Sequence, residues 1–99
     1  MKKSKLSLIT PGEILSDEFL IPNNLSMAQL AKGVKVSSGR ITQIVHNQRE
    51  ITADTAYRLS KFFGTSPQFW LNLQSNYNLR AYEETWASMS DQIETLRAA

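Results

Sequence analysis

The polar residues between Ser37 and Arg49 are the ones whose types and spacing could do chemistry. On a helix that begins after Ser37, the apolar residues Ile41, Ile44 and Val45 share one side. The other side then carries Ser38, Gly39, Arg40, Thr42, Gln43 and His46. Arg and Gln can each make paired hydrogen bonds to base edges, and Ser and Thr can bond either way. This pattern predicts hydrogen-bonded recognition of DNA bases, with Arg40 as the first choice and Gln43 as the better candidate for adenine.

The distribution of charge favours the same chemistry. No Asp or Glu occurs between Glu18 and Glu50, whereas four basic residues do: Lys32, Lys35, Arg40 and Arg49. Lys35 and Arg49 flank the proposed reading helix and are predicted to contact phosphate, which supplies affinity without sequence information. The net charge is +3 over residues 1–52 and −1 over residues 53–99. One end of the chain is therefore expected to face double-stranded DNA, although a solvated helix pair in an ordinary bundle stays open.

The same residues predict neither an enzyme nor a metalloprotein. The chain has no Cys and one His, so we expect no disulfide, no metal site and no cofactor. Ser38 and His46 are eight residues apart, which is about 12 Å along a helix, whereas a nucleophile and its base lie within roughly 3 Å. We predict no catalytic residue, and His46 is expected to be solvated or to contact phosphate.

Two short helices must position these side chains. In the first, Met27, Leu30, Ala31 and Val34 recur at helical spacing, and Ser26 with Gln29 forms a capping-box pattern. Ser37 can cap the second helix. Two capped helices joined by a tight turn form a helix-turn-helix, whose second helix can enter the major groove.

Further start and stop signals predict three more helices around this pair. Thr10-Pro11-Gly12-Glu13 starts the first helix, with Ile14, Leu15 and Phe19 on its buried side. Thr52 caps a fourth helix that has Ala56, Leu59, Phe62 and Phe63 at core spacing and ends at Gly64. Ser66-Pro67 starts a fifth. The chain is predicted to be all-α.

The C-terminal residues differ in kind. Tyr82, Trp86, Met89, Ile93 and Leu96 form a narrow heptad seam, which Asn78 could cap as a separate helix. This helix either folds back on its own domain or covers a second copy or another protein. The residues predicted for a dimer or partner interface are Phe69, Trp70, Leu73, Tyr77, Tyr82, Trp86, Met89 and Ile93. Residues 1–9 are predicted to be a flexible arm, 10–79 the helix-turn-helix domain and 80–99 the contact helix.

No stretch approaches the roughly 20 apolar residues that span a bilayer. The apolar run that follows the N-terminal lysines is too short for a signal peptide. We therefore expect a cytoplasmic protein with no membrane contact.

Longer phrases carry a family resemblance. The unit 26–47 resembles the lambda-repressor/Cro-like (XRE) helix-turn-helix. The phrases Pro11-Gly12-Glu13-Ile14-Leu15, Leu25-Ser26, and the runs 49–59 and 63–74 together resemble the HigA/VapI-type antitoxins over about residues 10–79. Residues 80–99 carry no such resemblance.

The resemblance implies a five-helix lambda-repressor-like domain plus a C-terminal helix. It implies an antitoxin that represses its own operon, as a homodimer on an inverted-repeat operator, and neutralises a cognate mRNA-cleaving toxin. A solitary phage-type regulator and a toxin-binding module with vestigial DNA binding are the alternatives. By position, Ser37, Ser38, Arg40, Thr42 and Gln43 would contact DNA, and Ser26 and Gln29 phosphate. Lys35 stands where the family usually has Gly, so a left-handed backbone is expected there.

Overall fold

The computed structural model describes residues 8–96, so most of the predicted N-terminal arm lies outside the described residues. Its helices are α1 Pro11–Ile14, continued by a π-helical segment Leu15–Leu20, then α2 Met27–Val34, α3 Ser38–Val45, α4 Ala53–Phe63 and α5 Pro67–Met89. A 3₁₀ turn Ser90–Gln92 follows α5. No strand occurs within this range, which confirms the predicted all-α fold of five helices.

Local side-chain bonds start four of the five helices as predicted. The exception is α4, where Thr52 stands at the N-cap position but its side chain makes no capping hydrogen bond, so that predicted cap is wrong. The Glu13 N–H donates to Thr10 Oγ1 at 3.1 Å, and the Thr10 N–H donates back to Glu13 Oε1 at 2.9 Å. Ser26 and Gln29 make the same reciprocal pair at 3.0 and 2.8 Å. Each pair satisfies two backbone donors that a helix start leaves unbonded.

Left-handed residues end three of the helices. Lys35 closes α2 with φ 64°, Asn47 follows α3 with φ 60°, and Gly64 closes α4 with φ 77°. The Val36 N–H donates to the Ala31 carbonyl at 3.0 Å, which closes the turn between α2 and α3. The expected left-handed conformation of Lys35 is therefore confirmed.

A contiguous core holds the helices together. Its largest fully buried side chains are Trp70, Leu15, Leu30, Ile41, Ile44 and Leu59. The ring centroids of Phe19 and Phe69 lie 4.8 and 4.9 Å from that of Trp70. The Trp70 indole N–H donates to Thr65 Oγ1 at 2.7 Å, so its polar atom is also satisfied.

Two side-chain predictions are wrong because of this packing. Trp70 was predicted for an interface, but its side chain is 0% exposed, so its own domain already buries the surface that a partner would contact. Phe62 was predicted for the core, but it is 43% exposed, since its ring lies outside the core and covers Gly33 on α2.

A close backbone approach fixes the reading helix against α1. A Cβ built on Gly12 would lie 2.6 Å from the Val45 carbonyl oxygen and 2.7 Å from its Cα. Only a residue without a side chain lets α1 approach the last turn of α3 this closely.

The predicted C-terminal helix is a continuation of α5 and does not start at Asn78. The Asn78 side chain instead accepts a hydrogen bond from Gln74 Nε2 at 3.1 Å, one turn earlier in the same helix. All of residues 81–89 are exposed, so the alternative in which this segment folds back on its own domain is wrong. The seam also ends early, because Ile93 follows the 3₁₀ turn with an extended backbone. Between residues 8 and 96, no helix combines the length and the apolar character needed to cross a membrane.

Candidate nucleic-acid interface

Helix α3 presents the polar flank that the sequence predicts. Ile41 and Ile44 are buried on its inner side, whereas Ser38, Gly39 and Gln43 are exposed on the other. The Arg40 N–H donates to Ser37 Oγ at 3.2 Å, so the predicted cap of this helix is confirmed. In the single chain, this flank of α3 is therefore accessible to a partner.

The Arg40 side chain does not extend freely from this flank. Its Nη1 donates to Asp54 Oδ2 at 2.7 Å and to Thr55 Oγ1 at 3.4 Å, both on α4. Arg58 Nε binds the same carboxylate at 3.0 and 3.1 Å. Hydrogen bonds from Arg40 and then from Arg58 hold the pKa of Asp54 below its ordinary value.

Asp54 and Arg58 are site residues that sequence reasoning missed. The chain between Glu18 and Glu50 contains no acid, but the fold brings Asp54 of α4 to the first turn of α3, 14 residues from Arg40. The only signal was the Asp in the first turn of a helix, which the helix dipole already explains. The sequence alone does not distinguish an Asp that stabilises the start of α4 from an Asp that also pairs with Arg40.

Gln43 and Arg49 are brought together beside Asn47. Arg49 Nε donates to Gln43 Oε1 at 2.9 Å. A Gln side-chain oxygen has two lone pairs, so one remains for a base while the amide NH₂ keeps both donors. The bond orients Gln43 and adds a cation next to the reading helix.

The loop after α3 is held by α5, which positions Arg49. The Ile51 N–H donates to Gln74 Oε1 at 2.9 Å, and Asn47 Nδ2 donates to the Tyr77 hydroxyl at 2.9 Å. Gln74 is a buried polar residue, and its amide satisfies a buried backbone donor. Arg49 therefore lies in a loop with fixed attachments on both sides.

His46 bonds to its own helix. Its Nδ1 lies 2.9 Å from the Thr42 carbonyl oxygen, an acceptor, so an Nδ1–H is assigned as the donor. Among residues 8–96, no group of three His, Cys, Asp or Glu side chains is placed to hold a metal ion. The contact of His46 with phosphate stays a prediction.

The remaining predicted DNA contacts lie at the surface. Ser26, Gln29, Lys35, Ser37 and Ser38 are exposed, and Thr42 is half-buried. The capping bonds use Ser26 Oγ and Gln29 Oε1 as acceptors, so the hydroxyl and amide hydrogens stay available as donors. These positions are compatible with phosphate contacts, which stay a prediction.

The predicted interface residues divide into two groups along α5. Phe69 is 36% exposed, whereas Leu73 and Tyr77 are half-buried against their own domain. Beyond them, Leu79 is exposed, and so are all the residues of the predicted heptad seam: Tyr82, Trp86, Met89, Ile93 and Leu96. The distal half of α5 and the segment after it therefore carry a row of apolar side chains that residues 8–96 leave exposed.

The chain is similar in sequence and in structure to known helix-turn-helix proteins. The helix-turn-helix family matches residues 18–70. The chain is similar to virulence-associated protein I of Dichelobacter nodosus, with 48% identity over 89% of this chain and 82% of that protein. It is similar to the solved structure of the Pseudomonas aeruginosa antitoxin HigA with the higBA promoter, with 49% identity, a TM-score of 0.83, and coverage of 90% and 98% of the two chains. It is also similar to antitoxin GraA in complex with its operator, with 34% identity, a TM-score of 0.86, and coverage of 99% and 100%.

Proposed function

This chain belongs to the helix-turn-helix family, among the HigA-type antitoxins, and from that premise we propose that it represses its own operon and neutralises a toxin encoded beside it. The mechanism is binding alone, to DNA and to protein, with no catalytic step. It acts in the cytoplasm, where its operator is.

The exposed polar flank of α3 is the observation that carries the DNA-binding half of the proposal. Ser38 and Gln43 face outward while Ile41 and Ile44 anchor the helix in the core. A helix held in this way can enter a major groove without losing its packing. Two of the similar proteins named above were solved on DNA, P. aeruginosa HigA with its promoter and GraA with its operator.

Phosphate contacts supply most of the affinity for DNA, and a palindromic operator fixes where the two reading helices of a dimer bind along it. In this proposal, phosphates around the reading helix are bound by Lys35, Arg49, His46 and the side-chain donors of Ser26 and Gln29. A two-fold dimer places two reading helices about 34 Å apart, so the operator is an inverted repeat with that spacing. Affinity falls steeply with salt because each neutralised phosphate releases counterions.

A fluorescence-anisotropy titration tests DNA binding. The DNA upstream of the operon and a scrambled duplex of equal length are titrated at two salt concentrations. We expect tighter binding to the upstream DNA at both concentrations. Arg40→Ala costs about 1–3 kcal/mol and relaxes preference at one base pair, whereas Gln68→Ala on α5 leaves binding unchanged. Equal affinity for both duplexes contradicts the repressor and favours a toxin-binding module with vestigial DNA binding.

The distal half of α5 forms the dimer contact in this proposal. Tyr82 and Trp86 are 50% and 47% exposed on one side of a helix, and aromatic residues are enriched in protein interfaces. We assign residues 10–79 to the DNA-binding unit and 80–99 to this contact. Because α5 is continuous, the contact helix is rigidly attached to the DNA-binding unit.

Light scattering on size-exclusion fractions tests the dimer contact. Trp86→Ala is expected to shift the wild-type dimer towards the monomer at the same protein concentration. Ser88→Ala is the matched control, because Ser88 lies two residues away on the opposite side of the helix and its hydroxyl bonds only locally, to Thr85. Unchanged mass for Trp86→Ala places the dimer contact elsewhere.

Co-expression tests toxin neutralisation. The product of the adjacent reading frame is induced in cells with and without this chain, and growth and mRNA integrity are measured. We expect growth arrest and mRNA cleavage that this chain prevents, and co-purification of the two proteins. DNA binding without any such rescue identifies the chain as a solitary regulator.

A further inference from the structure

A single carboxylate connects the reading helix to the turn of the helix-turn-helix. Asp54 accepts from Arg40 Nη1 at 2.7 Å and from Arg58 Nε at 3.0 Å. Arg58 Nη1 in turn donates to the Val34 carbonyl at 2.8 Å, at the end of α2. Arg58 therefore bonds both Asp54 and the end of α2, so Asp54, whose side chain is 54% exposed, anchors the Arg40 side chain to the turn of the helix-turn-helix.

The anchor occupies only one edge of the Arg40 guanidinium. Both of its contacts use Nη1, and neither Nε nor Nη2 has a hydrogen-bond partner within residues 8–96. A guanidinium carries five N–H donors in a rigid planar fork, so an outward edge stays available. The Arg40 side chain keeps 28% of its surface exposed. It can therefore bind another partner without leaving Asp54.

This arrangement matters because an unrestrained arginine does not discriminate. A mobile guanidinium on the DNA side of the protein reaches any phosphate, which raises affinity for every sequence alike. A guanidinium held in one orientation bonds only where a base edge comes within reach of its free donors. The Asp54 carboxylate also offsets the positive charge of Arg40, which weakens the attraction of this guanidinium to phosphate.

Resting on the proposed DNA-binding function, we infer that Asp54 is a specificity-determining positioning residue. It holds Arg40 in the orientation that reads a base edge and withholds that positive charge from the phosphates of non-cognate DNA. It acts through Arg40 and makes no DNA contact of its own.

The test compares affinities for an operator duplex and a scrambled duplex by fluorescence anisotropy at one salt concentration. Asp54→Asn is expected to raise affinity for the scrambled duplex and to lower the operator-to-scrambled ratio about fivefold or more, the smallest discrimination expected of one good base contact. Asp54→Glu, which keeps the carboxylate, restores part of the ratio. Asp17→Asn removes the same charge from an exposed position on the π-helical segment Leu15–Leu20, away from the reading helix and from the dimer contact, and leaves the ratio unchanged.

A double mutant separates positioning from general electrostatics. When Arg40 is already Ala, adding Asp54→Asn changes the ratio no further if Asp54 acts through Arg40. A further fall of the same size in that background overturns the inference. So does a uniform loss of affinity for both duplexes with the ratio preserved, because that result is the effect of a loosened fold.

The wild-type titration keeps this inference separate from the proposed function. A wild-type protein that binds both duplexes equally contradicts the repressor itself. A wild-type protein that discriminates, together with an Asp54→Asn variant that discriminates equally well, contradicts only the role of Asp54.

Discussion

Replacing Gln74 by Met should destabilise the fold and loosen the loop that carries Arg49. Gln74 is 6% exposed, and its Oε1 accepts the buried Ile51 N–H at 2.9 Å. Met has nearly the shape of Gln and fills the same space, but it offers only a weak acceptor. The substitution therefore removes this hydrogen bond, and the one that Gln74 Nε2 donates to Asn78 Oδ1, while creating little cavity.

The magnitude follows from the group that loses its partner. A buried donor left unsatisfied costs about 1–3 kcal/mol, which is more than the net gain of about 0.5–1.5 kcal/mol from an ordinary hydrogen bond. For a domain near this size, each 1 kcal/mol lowers Tm by roughly 4–8 °C. We therefore expect Tm to fall by at least about 4 °C and operator affinity to fall with it, because Ile51 is two residues from Arg49.

Urea unfolding at fixed protein concentration measures the effect, since a dimer's apparent stability depends on concentration. The midpoint should fall with an unchanged m-value. Gln68→Met is the matched control, because Gln68 is exposed and its amide bonds only Asn72 in the same helix, at 2.9 Å. A loss below about 0.5 kcal/mol is expected for the control. Equal losses for both variants would refute the argument that the buried Ile51 N–H sets the cost.

Three other changes have definite directions. Gly12→Ala should destabilise by about 1–3 kcal/mol, because its Cβ would overlap the backbone of Val45, and a thermal melt that matches wild type would contradict the close approach. Lys35→Gly should raise stability by up to about 1 kcal/mol in urea unfolding, since it relieves a left-handed non-glycine residue, and a lower midpoint would contradict that strain. The pKa of Asp54 is lower in the folded state than in the unfolded chain, so its contribution is present above the unfolded pKa and is lost as pH falls through the folded pKa. Stability measured from pH 6 downward should therefore fall less steeply in Asp54→Asn than in wild type, and parallel curves would contradict the shift.

The helix starts could be predicted from the sequence because their causes are local. Thr10 with Glu13 and Ser26 with Gln29 bond across three residues, so residue type and spacing are sufficient. The same holds for the stop at Gly64, which needs only a residue that tolerates positive φ. These signals, together with apolar spacing, were enough for the all-α fold and for the exposed flank of α3.

The contacts that control the reading helix could not be predicted in the same way. Arg40 meets Asp54 only because α4 packs across the end of the helix-turn-helix, and nothing in the spacing of the two residues marks that contact. Trp70 illustrates the same limit, because its helical face was recognised but not whether its own domain or a partner would cover it. An apolar helix face has the same sequence pattern whether its own chain or a partner chain buries it.

The distal half of α5 shows why the seam could be recognised while its helix could not be delimited. No Gly or Pro occurs between Gln68 and Leu96, so no local signal ends the helix. Beyond Gln74, no residue of α5 is buried, so the last turns have little tertiary packing to stabilise them. Helices stabilised by propensity alone are marginal in water, and α5 ends at Met89 while the apolar pattern continues to Leu96. The heptad seam is therefore longer than the helix that a single chain supports, as expected if part of the stabilising contact comes from a second chain.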